Sequence, residues 1–384
     1  MKECCYILLL AIALLAGSCA EDDHVVCPEP VRILLVYVAT DNNLSGLEQA
    51  KLQAIRDGMT GKATDRIIVY RDTKNAPARL MELERHGVRE IAVYGTENSA
   101  SPEIFSHVVN DVKAMFPADI YGLLVFSHAS GWLPEGVYNA FNAGNYDDTK
   151  LTAAPYSRSV IIDGADEMEL ADFATAIPEA FFDYIVFEAC FMAGIEVAYE
   201  LREKAPVIFA SSAEIVHPGF EPAYPSALPK LFAGDIPAFG QSVFSQVLTY
   251  ADDNPQRSAT YSMIQTAGLD ALASFVRGNC DFSRGVETTD VQRFDRLKGN
   301  RLFFDFGDYY GRLLDTDAQR SELALLIDAC VSWKSATPEF MTQSSGLNGF
   351  AIAEHSGLTA YIPQTALPGL NAAYGGLGWT QATR

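Results

Sequence analysis

A cysteine and a histidine each stand directly after a short apolar run of this sequence. Cys190 follows DYIVFEA (residues 183–189), and His128 follows YGLLVFS (residues 121–127). The stretch after Cys190 has helical spacing, and a thiol at a helix N-terminus should have a lowered pKa because the helix dipole favours the thiolate. A histidine at the end of a neighbouring strand could exchange a proton with that thiol. The two residues therefore predict nucleophilic chemistry by a cysteine–histidine pair.

Each of the two residues also has a structural interpretation. A single cysteine after an apolar strand is more often a small buried hydrophobic residue, and a histidine at a strand end is as often structural as functional. The pair is favoured because both residues lie at strand ends and because the small residues after His128 leave space for a peptide. Spacing in the sequence alone does not show that Cys190 and His128 meet.

The elements that must position these residues form a regular pattern. From Arg32 onward, apolar runs rich in Val, Ile, Phe and Tyr alternate with longer amphipathic stretches, which is typical of a parallel sheet with helices on both faces. In such sheets, sites form beyond the carboxyl ends of the strands, where Cys190 and His128 lie. The predicted strands are residues 33–39, 66–72, 90–95, 121–127, 183–189 and 206–212, and residues 79–86 alternate like a hairpin strand.

The organisation changes along the chain. Residues 129–169 lack apolar periodicity, and a loop of that length is usually functional or mobile. We predict one α/β domain over residues 31–235 and a C-terminal α+β region over residues 236–384 packed on it. The predicted helices are residues 43–59, 101–116, 191–204, 237–251, 268–279 and 317–332, and strand-like pieces lie at 260–266 and 358–363.

The composition restricts the possible functions. The chain has 384 residues, of which 49% are hydrophobic, as in a globular protein with a full core. The formal charge of −21, from 28 Lys and Arg against 49 Asp and Glu, argues against nucleic acid as a partner. Seven cysteines without a Cys-x-x-Cys pair indicate neither a disulfide scaffold nor a zinc site. No phosphate-binding glycine motif and no His-Glu-x-x-His motif occurs, so no metal ligand is predicted.

The N-terminus has the features of an export signal. A short apolar run at residues 6–16 leads through small residues to Cys19. We predict a lipoprotein signal peptide over residues 1–18, lipid attached to Cys19, and a tether over residues 19–30. The mature protein would then be exported and anchored by lipid to the bacterial outer membrane, in the periplasm or exposed at the surface. A plain secretory signal peptide is the alternative, because Ala16 stands where lipoproteins usually carry leucine.

The segments around the two candidate residues resemble the motifs of a peptidase family. LLVFSHASGW (residues 123–132) is similar to the histidine motif of clostripain-type cysteine peptidases, and YIVFEACFMAGIEVAYEL (residues 184–201) to their cysteine motif. Asp-Asn-Asn-Leu at residues 41–44 is a third matching element. The resemblance covers most of residues 31–235, in the order and spacing of the family. It implies the caspase and gingipain fold, a three-layer α/β/α sandwich with a mostly parallel central sheet.

The resemblance implies catalytic roles. Cys190 would be the nucleophile and His128 the proton carrier of a dyad that cleaves peptide bonds. The oxyanion hole would use the backbone N–H groups of Cys190 and Ala129. Family members usually carry glycine at the place of Ala129; alanine keeps the N–H, but its Cβ could crowd the substrate.

The resemblance also implies substrate contacts and self-cleavage. The family typically requires Arg or Lys before the scissile bond, and a basic side chain needs a carboxylate partner. Glu188, Ser211 and Glu214 are the candidate substrate-binding residues, although an acid at a sheet end is as often merely exposed. Many relatives are activated by cleavage between the two motifs, where Lys150 and Arg158 are the basic residues available.

The sequence therefore predicts a lipid-anchored cysteine endopeptidase that acts on peptides or proteins with Arg or Lys before the cut. The alternative is a catalytically inactive surface lipoprotein that uses the same fold to bind proteins or peptides. A nucleotide-binding protein is less well supported, because no phosphate loop occurs. No cofactor is predicted; calcium is suggested by the family resemblance alone, without a supporting motif.

Overall fold

The computed structural model describes part of the chain, including all of the predicted strands. Within the described part, no helix is long and apolar enough to cross a membrane. The predicted lipidation at Cys19 and the predicted cleavage at Arg158 lie outside the described residues. These residues are 29–151, 160–297, 299, 301–341 and 349–384.

Fifteen strands are found in the described part of the chain, and nine of them form one central sheet. The nine are β1 (Arg32–Thr40), β2 (Asp65–Thr73), β3 (Ala76–Glu84), β4 (Gly87–Gly95), β5 (Ile120–Phe126), β8 (Tyr184–Glu188), β9 (Val207–Ser211), β10 (Thr260–Gln265) and β12 (Val331–Ala336). The short strands outside it are β6 (Ile161–Asp163), β7 (Asp166–Met168), β11 (Phe304–Asp305), β13 (Glu339–Phe340), β14 (Phe350–Ala351) and β15 (Thr359–Ala360).

The centre of the sheet is parallel and its two edges are antiparallel. The strand order is β12-β10-β9-β8-β5-β1-β2-β3-β4. Strands β9, β8, β5, β1 and β2 run parallel to one another, whereas β3 and β4 on one side and β10 and β12 on the other pair antiparallel. The predicted α/β fold is confirmed, and the central sheet is mixed, with a parallel centre of five strands.

Helices cover both faces of this sheet, so the predicted three-layer sandwich is confirmed. Because side chains alternate along a strand, neighbouring residues of β1 such as Leu35 and Val36 enter different hydrophobic clusters. One face packs against the helices at residues 102–115, 170–176, 269–279 and 317–330, and the other against those at residues 48–57, 224–232 and 236–247. The helices are α1 (Glu48–Asp57), α2 (Pro102–Met115), α3 (Val137–Ala143), α4 (Leu170–Ala176), α5 (Ile195–Glu200), α6 (Tyr224–Phe232), α7 (Ile236–Val247), α8 (Leu269–Asn279), α9 (Phe306–Arg312), α10 (Asp317–Cys330), α11 (Pro368–Gly375) and α12 (Gly378–Thr383).

The predicted loop at 129–169 contains α3, β6 and β7, and other predicted elements also differ from the structure. The apolar run at 90–95 was expected to be a buried parallel strand, but it belongs to β4, an antiparallel edge strand that pairs with β3 and leaves four of its nine residues exposed. The helix expected at 191–204 is shorter, because the chain after β8 first makes a turn and α5 begins only at Ile195.

The C-terminal region is part of the sheet as well as packed on it. Strand β10 pairs with β9, and β12 pairs with β10, so residues after 235 extend the sheet at its edge. A further contact reaches the segment that follows β8, where the Thr359 N–H donates to the Ala193 carbonyl at 2.9 Å. Residues Val31–Arg384 accordingly form one compact unit.

Candidate active site

His128 and Cys190 follow neighbouring parallel strands. Phe126 at the end of β5 pairs with Glu188 at the end of β8, so the residues that come next reach the same edge of the sheet. His128 and Cys190 both line the two cavities at this edge. The structure therefore brings together the two residues that the sequence singled out.

The His128 ring is held by Asn43. Asn43 lies in the loop after β1, the strand on the other side of β5 from β8. Its Oδ1 lies 2.6 Å from His128 Nε2. With the amide oxygen accepting, Nε2 carries the hydrogen and Nδ1 has the lone pair that can take a proton. Burial lowers the pKa of His128, so the ring is neutral at pH 7 and can act as a base.

Cys190 is half-buried at the start of a turn. Its Sγ accepts a hydrogen bond from the Ile215 N–H at 3.4 Å. Burial raises the pKa of Cys190 to about 12, and the charge of Glu214 acts in the same direction. The expected lowering of this pKa by a helix dipole is wrong, because α5 begins at Ile195 and not at the cysteine. The thiol is therefore protonated, and its attack needs a base.

The residue after Cys190 has a strained backbone. Phe191 has a φ of 61°, which is uncommon for a residue with a side chain. Its ring stacks on Phe303 with centroids 4.2 Å apart, and its N–H donates to the Ala213 carbonyl at 3.0 Å. A Cβ at Gly131 would lie 2.7 Å from the Phe191 carbonyl oxygen, so a glycine is needed there. These contacts hold the turn that presents Cys190.

Two cavities meet at His128 and Cys190. The one that we call the inner cavity has a volume of about 120 Å³, and its wall includes the charged residues Lys51, Glu188 and Glu221. The one that we call the outer cavity has a volume of about 390 Å³, and its wall includes Glu214 and Arg296. Both candidate carboxylates are thus near the thiol, but each has a basic side chain of the same chain in the same wall.

Glu188 is fully engaged by this chain. Its carboxylate forms an ion pair with Lys51 Nζ, with side-chain exposures of 1% for Glu188 and 3% for Lys51. It also accepts the Phe220 N–H at 2.7 Å and the Tyr224 hydroxyl at 2.6 Å. Lys51 Nζ in turn lies over the Phe126 ring, 4.3 Å from its centroid. Contrary to the expectation from the sequence, Glu188 is therefore not free to bind a basic substrate side chain.

Glu214 is also paired, but in a more open place. Its carboxylate forms an ion pair with Arg296 Nε and accepts the Tyr138 hydroxyl at 2.9 Å. The side-chain exposure is 14% for Glu214 and 7% for Arg296. Because the pair lines the outer cavity, a basic substrate group would have to compete with Arg296 for Glu214.

Ser211 does not lie where a substrate-binding residue should. It is the last residue of β9 and is fully buried. Its Oγ is 3.1 Å from Thr260 Oγ1 on the neighbouring strand β10, and it lines neither of the two cavities. Ser211 therefore lies within the sheet and away from both cavities, and its role in substrate binding stays a prediction.

Ala129 lies next to His128 in the wall of the outer cavity. Its φ is not positive, so alanine is accepted without backbone strain at a place where the family usually has glycine. It is 7% exposed and belongs to the larger hydrophobic cluster. Its backbone N–H remains as a potential donor to an oxyanion.

Lys150 is the predicted cleavage residue that the structure describes. It ends a short 3₁₀ helix, Asp148–Lys150, and its side chain is 81% exposed, with Nζ 3.7 Å from Asp147. A protease could reach it, whereas Arg158 lies outside the described residues.

Metal ligands are not grouped in the described part of the chain. There, no set of three or more His, Cys, Asp or Glu side chains is arranged to hold a metal ion. The calcium that the family resemblance suggests stays a prediction.

Comparisons with known proteins agree with this geometry. The model of the Clostripain family matches residues 36–278. The chain belongs to the clostripain family. It is a cysteine peptidase with the α/β/α fold of that family. Comparison with curated proteins gives no match.

Two solved clostripain-family structures are similar over almost their full length. The inactive zymogen of a C11 protease from Parabacteroides distasonis is 29% identical to this chain, with a TM-score of 0.78, and the match covers 93% of this chain and 99% of that one. A secreted C11 cysteine protease from Bacteroides thetaiotaomicron, in complex with an irreversible peptide inhibitor, is 25% identical, with a TM-score of 0.77 and coverage of 92% and 99%.

Sequence reasoning missed three residues of this clostripain-family site. Asn43 was part of a segment that carried the family resemblance, but its contact with His128 was not foreseen. Lys51 gave a usable signal, because it occupies an inward position of α1 together with the buried residues Leu52 and Ile55. Arg296 gave none, since it lies outside the helices and strands.

Proposed function

We propose that this cysteine peptidase is an endopeptidase in which Cys190 is the nucleophile and His128 carries the proton. The observation that carries the proposal is that both side chains line the same two cavities at adjacent strand ends. His128 Nδ1 takes the proton of the thiol as Sγ attacks the carbonyl carbon of the scissile bond. The imidazolium then gives this proton to the leaving amine, and water hydrolyses the resulting thioester with His128 as the base.

The negative oxygen of the tetrahedral intermediate needs hydrogen-bond donors. In the proposal these are the backbone N–H groups of Ala129 and Cys190. The outer cavity next to His128 gives the carbonyl oxygen access to them. Donors of this kind stabilise charge only as it develops, so they act mainly on the transition state.

Variants of the two reacting residues test this mechanism. Cys190→Ala and His128→Ala should each lower kcat for internally quenched peptides by more than about a thousandfold, with the circular dichroism spectrum unchanged. Cys280→Ala is the matched control, because Cys280 is also a half-buried free thiol but lies outside both cavities. Activity that survives Cys190→Ala would remove the dyad. A folded wild type that cleaves no peptide would favour the inactive binding protein.

We also propose that activity follows self-cleavage after Lys150 or Arg158. The exposure of Lys150 supports the first site, and the raised pKa of Cys190 is consistent with a resting form. Wild type and Cys190→Ala, incubated side by side, should differ on a denaturing gel, with cleavage only in the wild type. Lys150→Ala and Arg158→Ala identify the site. Identical single bands for wild type and Cys190→Ala would contradict self-cleavage.

Preference for Arg or Lys before the cut is the finer expectation from the family resemblance. Glu188 and Glu214 already bind Lys51 and Arg296. Glu221 also lines the inner cavity and forms no ion pair with a described residue, and this supports a basic side chain there.

Export and lipid anchoring at Cys19 complete the proposal. The sequence before Cys19 supports it. Expression in a bacterial host with a radiolabelled fatty acid should label the wild type and not Cys19→Ala. Labelling of neither protein, with the mature N-terminus found elsewhere, would favour a plain secretory signal peptide.

A further inference from the structure

The short hairpin of β6 and β7 lies against the two loops that carry Asn43 and His128. Its strands have three residues each and form a two-stranded sheet of their own. A hairpin of this size is marginally stable by itself, so its position depends on the contacts that dock it. The Gly164 N–H in its turn donates to the Asp41 carbonyl at 2.9 Å, and Ile162 lines the outer cavity together with Asn43 and His128.

The main chain of Ile162 connects the two loops. Its N–H donates to Ser127 Oγ at 3.0 Å, and Ser127 directly precedes His128. Its carbonyl accepts the side-chain amide of Asn42 at 2.9 Å, and Asn42 directly precedes Asn43. One residue of the hairpin therefore binds both neighbours of the pair in which Asn43 Oδ1 lies 2.6 Å from His128 Nε2.

Asn42 also shapes the turn that contains Asn43. Its Oδ1 accepts the Leu44 N–H at 2.9 Å, and its carbonyl accepts the Ser45 N–H at 3.3 Å. A side-chain bond of this kind fixes the backbone of a turn, so the direction of Asn43 depends on Asn42. Asn42 is 8% exposed, so the loss of a partner would leave a buried polar group unpaired.

We propose that Asn42 is a positioning residue of the peptidase. By holding Ile162, it sets the direction of the Asn43 amide and thereby the orientation of the His128 ring. This rests on the proposed function, in which that ring is the base. A misplacement of a reacting group by about 1 Å costs about a hundredfold in rate, so a residue that only directs the ring should still affect kcat.

The kinetics of Asn42→Ala test the proposal. The variant should lower kcat for internally quenched peptides by about 10- to 100-fold, with KM within about threefold of the wild-type value. An unchanged kcat in the folded variant would overturn the role of Asn42. A loss that appears only in KM would also overturn it, because Asn42 lines the outer cavity and would then be a residue that contacts the peptide.

Asn98→Ala is the matched control. Asn98 donates a side-chain hydrogen bond to the same hairpin, at Asp166 of β7, and accepts the Ala100 N–H in a turn of the same kind. Its turn follows β4 at the edge of the sheet, away from β1 and β5. Asn98→Ala should therefore change kcat by less than about threefold. Equal losses in Asn98→Ala and Asn42→Ala would contradict a specific role of Asn42.

Asn42→Asp separates the contact with Ile162 from the turn. Its carboxylate still accepts the Leu44 N–H, but it has no donor for the Ile162 carbonyl. The kcat of this variant should be as low as that of Asn42→Ala. Recovery of the wild-type kcat would show that the turn acts without the hairpin and would overturn the role of Ile162.

Ser127→Ala removes the other hydrogen bond to Ile162. It should lower kcat as well, and the double variant Asn42→Ala/Ser127→Ala should lose less than the product of the two single losses. The reason is that both bonds hold the same residue, and residues with a shared partner are not additive. Losses that multiply would contradict a common action through Ile162.

A measurement without turnover separates this proposal from the peptidase mechanism. The NMR signal of the His128 ring is recorded in Cys190→Ala and assigned by its absence from Cys190→Ala/His128→Ala. Addition of Asn42→Ala should shift or broaden this signal, and addition of Asn98→Ala should leave it in place. Absence of hydrolysis by the wild type would remove the mechanism, whereas the positioning of the ring stands if its signal changes. An unchanged signal in the folded Asn42→Ala background would overturn the proposal.

Discussion

The two ion pairs beside Cys190 differ in how the chain holds them. Lys51 lies on α1 and Glu188 ends β8, so the inner pair joins two regular elements and is almost completely buried. Arg296 lies in a loop, and its partner Glu214 is more exposed. A carboxylate is therefore neutralised by a helix residue on one side of the thiol and by a buried loop residue on the other.

The loop of Arg296 is organised by a single carboxylate. Asp295 accepts the backbone N–H groups of Leu302 and Phe303 at 2.8 and 3.2 Å and that of Leu297 at 3.1 Å. No sheet hydrogen bond of the central nine strands depends on this loop. Release of Glu188 would require a change in the core. Glu214 is 14% exposed in the wall of the outer cavity, so solvent can reach its pair with Arg296.

Loss of the inner cation should give the largest effect on stability. Lys51→Met leaves the Glu188 carboxylate buried without its cation, which should lower the free energy of unfolding by about 3–5 kcal/mol. Arg296→Met is the matched variant of the outer pair. It should lower the free energy by only about 2 kcal/mol, because Glu214 can be hydrated. Urea unfolding of both variants measures the difference, and equal losses would contradict the distinction between the pairs.

A third carboxylate, that of Glu196, can be compared with Glu188 and Glu214, because it forms no ion pair with a described residue. Glu196 is buried in α5 and accepts the Tyr361 N–H at 3.0 Å. Burial raises its pKa from 4.5 to about 7. The folded state thus holds this proton more tightly than the unfolded chain, so the contribution of Glu196 to stability is full below pH 4.5 and is lost as the pH rises to about 7.

Glu196→Gln should remove this pH dependence. Relative to the wild type, the variant should gain about 3 kcal/mol of stability between pH 4.5 and pH 8. Thermal unfolding across that pH range measures the gain. Glu322→Gln, an exposed position on α10, should show no comparable change. If the difference in stability between Glu196→Gln and the wild type does not vary with pH, the pKa of Glu196 is not raised in the folded protein.

The parts of the fold that the sequence could predict are those with local signals. Strands β1, β2, β5, β8 and β9 are continuous apolar runs because both of their faces are buried. In contrast, the helix predicted at 317–332 includes the first two residues of β12. Its side chains are half exposed, so it has no such run, and only pairing with β10 makes it a strand.

The same division applies to the site. Cys190 and His128 could be predicted because each ends an apolar run. The partners of Glu188 and Glu214 could not, because Lys51 is 137 residues away from Glu188 in the sequence and Arg296 is 82 residues from Glu214. The pKa of Cys190 was expected to be lowered by a helix dipole. Burial raises it instead, and the helix begins only at Ile195.

The hydrogen bond between Asn43 and His128 allows a test of how much the orientation of the histidine ring contributes to catalysis. Asn43→Ala removes the acceptor of His128 Nε2. Loss of a hydrogen bond that orients a group which becomes charged should lower kcat by about 10- to 100-fold, with little change in KM. Asn139→Ala, at another position in the outer cavity, should have a much smaller effect on kcat.

A second substitution at this position separates orientation from mere packing. Asn43→Asp places a carboxylate beside the imidazole, which favours its protonated form and raises the pKa of His128. The acidic limb of the pH profile of kcat/KM should therefore move to higher pH. If Asn43→Ala lowers kcat but Asn43→Asp leaves the pH profile unchanged, Asn43 does not contact the functional ring.

Substitution of Ala129 should have the smallest effect on activity. Ala129 lines the outer cavity and also belongs to the hydrophobic core. Because Ala129 is 7% exposed and belongs to a hydrophobic cluster, its methyl group is expected to pack inward and not against substrate. Ala129→Gly keeps the N–H of the proposed oxyanion hole, so kcat/KM should change by less than about threefold, or about 0.6 kcal/mol. A gain of tenfold or more would mean that the methyl group crowds the peptide, and the outer cavity would then be narrower for substrate than its volume indicates.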